Sequence, residues 1–122
     1  MMTMTTTMRP NPPQAYKDLV TALKATRIPC EEYEWETCPK GTYLTVALEF
    51  EAGNLHGDDQ KVERAFEGSI DLFFKKKADR DNLLSKVENV LSECCGTCWR
   101  AERLQHEAGT GYFHQEWIFQ VE

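Results

Sequence analysis

The segment from Lys61 to Ser92 constrains the fold most, because its hydrophobic period changes from two residues to about 3.6 residues. The apolar residues of its first part share one parity, so all would point to one face of a strand: Val62, Phe66, Ile70, Leu72 and Phe74. Those of its second part recur at helical spacing: Leu83, Val87, Val90, Leu91 and Cys94. The pattern predicts a long strand, central in its sheet, that leads into an amphipathic helix packed on the same core.

The composition is that of a water-soluble folded protein. Of 122 residues, 41% are hydrophobic, enough for the core of one domain. No apolar run approaches the roughly 20 residues that cross a bilayer. The 20 acidic and 14 basic residues give a net charge of -6, which disfavours nonspecific attraction to nucleic acid or anionic lipid. We expect a flexible N-terminal head over residues 1–12 and a single α+β domain over residues 13–122, with no membrane association and no specific nucleic-acid binding.

The first half of the chain predicts one helix and two strands. The helix opens at Pro12-Pro13 and closes at Ile28-Pro29, because proline suits a first turn and the residue before a proline avoids helical geometry. Its buried face should hold these residues: Tyr16, Leu19, Val20 and Leu23. An edge strand is expected over residues 30–36, where glutamates alternate with Tyr33 and Trp35. After a turn, residues 43–50 form a strand whose even-numbered face is buried.

The second half completes a mainly antiparallel sheet of about four to five strands, with two helices on one face, in the order α-β-β-β-α-β-β. A long exposed loop over residues 52–60 joins the second and third strands. Asp79 is expected to cap the second helix, and Cys95-Gly96 to end it. Residues 99–106 and 112–121 form the closing hairpin. Gly68, inside the third strand, marks either a bulge or a close approach of another backbone, and we favour the bulge.

The cysteines raise one chemical alternative. The opening MMTMTTTMRPNPP lacks the features of a secretory signal, so we expect synthesis in the cytoplasm and five reduced thiols. Cys95 and Cys98 nevertheless have the C-x-x-C spacing of redox and zinc sites. The pair follows a helix instead of opening one, and zinc would need two further ligands from this set: Cys30, Cys38, His106 and His114. We favour structural thiols and keep a thiol-dependent redox or metal-binding domain as the alternative function.

No other constellation points to catalysis. His56, His106 and His114 belong to no recognised nucleophile or metal motif. The carboxylate pairs at residues 31–32 and 58–59 lie in polar stretches typical of solvated surface. We therefore expect neither enzyme activity nor a cofactor.

Three segments resemble small tail-completion proteins of phages and prophages: IDLFFKKKAD, NLLSKVENVLSE and GYFHQEWIFQVE. The chain is most similar to the tail terminators of long-tailed phages, over roughly Ala15 to Glu122. The resemblance implies an α+β subunit without cofactor or reaction that assembles into a ring, a hexamer in that family. Such a ring caps the tail tube and presents a docking face to the head connector. The resemblance also implies synthesis in the cytoplasm of a bacterial host and a final location in the virion neck.

A ring needs two different surfaces that complement each other head to tail, and hairpin loops and strand edges can supply them. We expect partner contacts on the loop after the second strand: Asn54, Leu55, His56, Asp58 and Asp59. A second set lies in a basic turn that could also be merely solvated: Lys75, Lys76 and Lys77. An acidic channel lining would help DNA to pass, because carboxylates repel phosphate.

Overall fold

The computed structural model describes residues 12–51 and 65–122. Two helices, α1 (Gln14–Ala25) and α2 (Arg80–Cys95), pack on one face of a six-stranded sheet. The strands are β1 (Cys30–Glu32), β2 (Tyr43–Glu51), β3 (Phe66–Phe74), β4 (Trp99–Ala101), β5 (Gln105–His106) and β6 (Phe113–Val121). They lie in the order β1-β2-β3-β6-β4, with β5 also paired to β6. The predicted α+β class is confirmed, and the element order agrees apart from one additional strand.

The core lies between the helices and the sheet face that carries the alternating apolar residues. The helices bury the residues predicted for α1 and most of those predicted for α2: Tyr16, Leu19, Val20, Leu23, Val87, Val90 and Leu91. The sheet contributes even-numbered residues of β2 and β3 and odd-numbered residues of β6: Leu44, Val46, Ile70, Leu72, Phe74, Trp117, Phe119 and Val121. The Trp117 indole N–H donates a 2.9 Å hydrogen bond to Glu88 Oε2. That bond ties β6 to α2 at the margin of the core.

Strand β3 lies between β2 and β6 and is central, as predicted. Its pairing with β6 is uninterrupted, whereas the register of β2 shifts between Leu48 and Phe50, opposite Gly68. A Cβ atom on Gly68 would overlap the carbonyl oxygen of Ala47 and the ring of Phe119. The irregularity therefore lies in β2, and not at Gly68 in β3 as we favoured. Glycine is needed there because its neighbours approach too closely for a side chain.

The predicted edge strand over residues 30–36 is shorter than expected and pairs in parallel with β2. It ends because Tyr33 has a positive φ of 66° and Glu34 N–H turns back to the carbonyl oxygen of Glu32 at 2.8 Å. Tyr33 is consequently 59% exposed. The prediction that Tyr33 and Trp35 lie on one face of a strand, alternating with glutamates, is therefore wrong. The position of β1 at the sheet edge is confirmed.

The single strand predicted over residues 99–106 is two short strands, β4 and β5, both antiparallel to β6. The buried side chain of Gln115 explains part of the break, because its amide donates a 2.6 Å hydrogen bond to the carbonyl oxygen of Glu102. This side-chain contact occupies a backbone acceptor in the gap between the two strands.

Helix α2 begins after a short 3₁₀ turn, Lys77–Asp79. Asp79 occupies the N-cap position but makes no capping hydrogen bond, because its own backbone is already helical. Gly96 ends the helix with a φ of 62°, a conformation that side chains disfavour, so the predicted stop is confirmed. No helix in the two described ranges is long and apolar enough to cross a membrane.

Three predictions fall outside the described residues: most of the N-terminal head, Val62 on the face of the third strand, and the loop over residues 52–60. The strand ends that flank this loop are paired with each other, Glu51 with Phe66. Lys75 follows the other end of β3.

Candidate functional site

The sheet face that neither helix covers, here called the open face, carries the most distinctive side chains. Alternation along the strands places these residues on it: Tyr43, Thr45, Ala47, Glu67, Ser69, Asp71, Phe73, His114, Glu116 and Ile118. Most of them are only half-buried in the subunit. An antiparallel sheet commonly leaves one face to solvent, but such a face is normally polar throughout. This one is divided into an aromatic end, an acidic centre and a small apolar patch.

The aromatic end consists of five rings in contact: Trp35, Tyr43, Phe73, Tyr112 and His114. Phe73 stacks on Tyr43 and on His114, with ring centroids 4.8 Å and 4.3 Å apart. Trp35 and Tyr112 meet Tyr43 edge to face. Offset-stacked and edge-to-face pairs of this kind add stability beyond the area they bury. The aromatic end is thus a preformed, rigid surface.

Tyr112 fixes the turn that precedes β2. Its hydroxyl donates to the carbonyl oxygen of Lys40 at 2.9 Å and also lies near those of Pro39 and Gly41. The ammonium group of Lys75 lies 4.6 Å from the centroid of the same ring. This cation–π contact anchors the first lysine of the basic turn against the aromatic end.

His114 joins the aromatic end to the acidic centre. Its Nε2 lies 2.7 Å from Asp71 Oδ1, and its Nδ1 lies 3.6 Å from Glu107 Oε2. The hydrogen bond to Asp71 is the main cause that raises the pKa of His114, and the charges of Glu107 and Glu116 act in the same direction. Both ring nitrogens face carboxylates, an arrangement that suits the doubly protonated imidazolium.

The acidic centre consists of Glu49, Asp71, Glu102 and Glu116. Burial raises the pKa of Glu116, and so do the charges of the other three carboxylates. Asp71 is paired with His114, and Glu102 with Arg100 at 2.8 Å. No cation within the two described ranges pairs with Glu49 or Glu116, and Glu49 accepts only the hydroxyl of Ser69 at 2.9 Å. Among the residues that the structure describes, the acidic centre therefore has more carboxylates than cations paired with them.

Beside the acidic centre, Ala47, Ser69 and Ile118 form the small apolar patch. A shallow open pocket of about 190 Å³ adjoins Ile118 and is bordered by Glu67 and Arg100. A patch rimmed by charges suits contact with another protein surface.

The contact residues predicted from the sequence have different outcomes. Lys75, Lys76 and Lys77 are all exposed between β3 and α2, and the structure brings Lys75 to the aromatic end. The loop residues lie outside the described ranges: Asn54, Leu55, His56, Asp58 and Asp59. The open face was not predicted from the sequence. Tyr43 and Phe73 could have indicated it, because they are aromatic residues on the strand face that the alternation assigns to solvent.

The thiols of the C-x-x-C pair lie in the turn between α2 and β4. The Cys98 N–H donates to the carbonyl oxygen of Cys95 at 2.9 Å, and the structure contains both residues as free thiols. Burial, with smaller contributions from Cys94 and Cys98, raises the pKa of Cys95 to about 12. A reactive cysteine needs the opposite shift, because the thiolate is the nucleophile. No group of three or more His, Cys, Asp or Glu side chains within residues 12–51 and 65–122 is arranged to hold a metal ion.

Comparison with known proteins adds no relative. The chain matches no protein-family model, and no curated protein matches it significantly.

Proposed function

We propose that this protein is a non-enzymatic structural subunit of the tail-terminator type, which assembles into a ring at the virion neck. The ring, a hexamer by the resemblance, caps the tail tube and joins it to the head connector. The observation that carries the proposal is the open face, which combines rigid aromatic rings with uncompensated charge and is covered by neither helix. Aromatic residues are enriched in protein interfaces, which supports a role in assembly.

The short outer strands also suit self-assembly. β1 and β4 have three residues each and stand at opposite edges of the sheet. Short edge strands limit uncontrolled pairing between sheets, so a specific ring contact would depend on side chains rather than on strand addition. This is the kind of contact that an open face with fixed side chains provides.

The thiol alternative has less support. The raised pKa of Cys95 leaves it protonated at neutral pH, so it is poorly suited to attack a disulfide. Alkylation of the exposed Cys98 discriminates between the two functions. Under the structural proposal, assembly persists after alkylation, whereas a redox or metal function would be lost.

The mass of the full-length protein, measured by light scattering and sedimentation velocity over a wide concentration series, tests the proposal. We expect a ring-sized species with a hollow centre in negative-stain images. Added to tubes of the major tail protein encoded nearby in the same genome, it should bind at tube ends and stop their growth. A monomer at every concentration, with no effect on tubes, would overturn the proposal.

A further inference from the structure

We propose that the ring contact is made by the basic turn of one copy docking on the open face of the next copy. Lys76 and Lys77 of the first copy would pair with the acidic centre of the second, at Glu49 and Glu116. The inference rests on the proposed function and names the two surfaces that would join the subunits.

The acidic surface is incomplete in the isolated subunit. Glu49, Asp71 and Glu102 all act on Glu116, and among the described residues only His114 and Arg100 form ion pairs with members of the acidic centre. Burial and the three neighbouring carboxylates disfavour the ionised form of Glu116, and the charge of His114 opposes them in part. An incoming cation would relieve this repulsion, so the acidic centre is electrostatically suited to a basic partner.

The basic surface is incomplete in the same way. Lys76 and Lys77 are exposed, and neither forms an ion pair with any residue that the structure describes. They lie at the start of the 3₁₀ turn that leads into α2, whose N-terminus carries the positive end of the helix dipole. Positive charge is unfavourable near that end, where Asp79 in the turn and Asp81 in the first turn of α2 are the acidic residues. A neighbouring carboxylate surface would offset this unfavourable placement.

The two surfaces differ in position as well as in charge. One lies on the face of the sheet, and the other lies at its end, beyond the last residue of β3. Two different patches that complement each other give a head-to-tail contact, and patches set at an angle make successive copies curve. A closed ring follows when that curvature returns to the first copy. The aromatic end and the small apolar patch would supply the apolar area that surrounds the ion pairs.

Two charge-reversal variants of the full chain test the pairing. Glu49→Lys with Glu116→Lys alters only the acidic centre, and Lys76→Glu with Lys77→Glu alters only the basic turn. Each variant alone is expected to raise the concentration of half-assembly by at least about tenfold, because like charges then meet at the contact. The matched control, Lys17→Glu with Lys24→Glu, reverses two exposed lysines of α1 and should assemble as the unmodified protein does.

Mixtures give the sharper result. An equimolar mixture of the two variants retains the basic turn on one chain and the acidic centre on the other. The reversed turn of the second variant also meets the reversed centre of the first, so both contacts between unlike chains are complementary and the mixture should form rings of alternating chains. All four substitutions in one chain restore complementarity with reversed signs, so that chain should form rings again. Circular dichroism shows whether Glu49→Lys with Glu116→Lys still folds. If it does not, Glu49→Gln with Glu116→Gln replaces it and should also weaken assembly.

The outcomes separate this inference from the function on which it rests. Rings that form equally well from both charge-reversal variants would overturn the docking inference and leave the ring proposal standing, as expected if the open face lines the channel. An unmodified protein that stays monomeric would overturn both. Rings of alternating chains from the mixture, together with rings from the fourfold variant, support the inference.

Discussion

At the scale of single residues, His114 makes the stability of the fold depend on pH. Its ring nitrogens face Asp71 and Glu107, and Glu116 on its own strand adds further negative charge. The folded pKa of His114 is raised above the ordinary histidine value of 6.5. The stabilisation is therefore fully present below the unfolded pKa and is lost as pH rises through the higher folded pKa. We expect the free energy of unfolding to fall as pH rises above about 6.5, the ordinary pKa of histidine, and on through the raised folded pKa.

The measurement is urea unfolding of the His114→Gln variant and of the unmodified protein across that range. The variant should be less stable at low pH and should show a flatter profile. His106→Gln, at an exposed histidine that contacts Phe113, is the control and should retain the dependence of the unmodified protein. Equal slopes for His114→Gln and the unmodified protein would contradict this account.

Gly68 is the second residue whose role is local. A Cβ atom there would overlap the Ala47 carbonyl oxygen and the Phe119 ring, both of them fixed in the sheet or the core. Gly68→Ala should therefore destabilise the protein by about 1–3 kcal/mol, the usual cost of overpacking. Gly109→Ala, where nothing lies within 4 Å of the added atom, should leave stability nearly unchanged. Thermal denaturation of both variants tests the difference, and equal midpoints would show that the sheet yields easily at Gly68.

At the scale of elements, β3 is the strand on which the fold depends most, because it is central and has one face in the core. Ile70 is fully buried on that face, whereas Glu67 lies on the open face. Ile70→Asp places an unpaired carboxylate in the core and should cost about 4–5 kcal/mol or more, enough to unfold or aggregate the protein. Glu67→Gln should leave the thermal midpoint close to that of the unmodified protein. Equal midpoints would mean that the buried face of β3 is the other one.

The helices and the three long strands could be predicted because each has a local hydrophobic period and a buried face. β3 and α2 show this best, since Ile70 and Val87 are fully buried where the two periods place them. The parallel pairing of β1 and the division between β4 and β5 depend on contacts distant in sequence. The amide of Gln115 that reaches Glu102 is one such contact. The open face also depends on contacts distant in sequence, because Tyr43, Phe73 and Tyr112 contact one another only once the strand register is set.

At the scale of the whole molecule, the acidic centre should lower the stability of the subunit while it serves assembly. Burial and the neighbouring carboxylates raise the folded pKa of Glu116 above the ordinary value for glutamate, and His114 opposes them in part. Ionisation is therefore harder in the folded state than in the unfolded state. At neutral pH this difference lowers the free energy of unfolding, and it disappears as pH falls below the unfolded pKa.

Glu116→Gln removes this charge with little change of shape, so it should raise the thermal midpoint of the subunit at neutral pH and weaken ring formation in the same sample. The midpoint must be measured at a concentration where the subunit is monomeric, because assembly itself stabilises the folded state. Glu34→Gln, at an exposed glutamate outside the sheet, is the matched control and should change neither quantity. A Glu116→Gln subunit that is both less stable and fully able to assemble would mean that Glu116 supports the fold instead of serving a contact. A more stable subunit that assembles poorly is the result expected if the charge is kept for a neighbouring copy, since its removal then benefits the isolated chain alone.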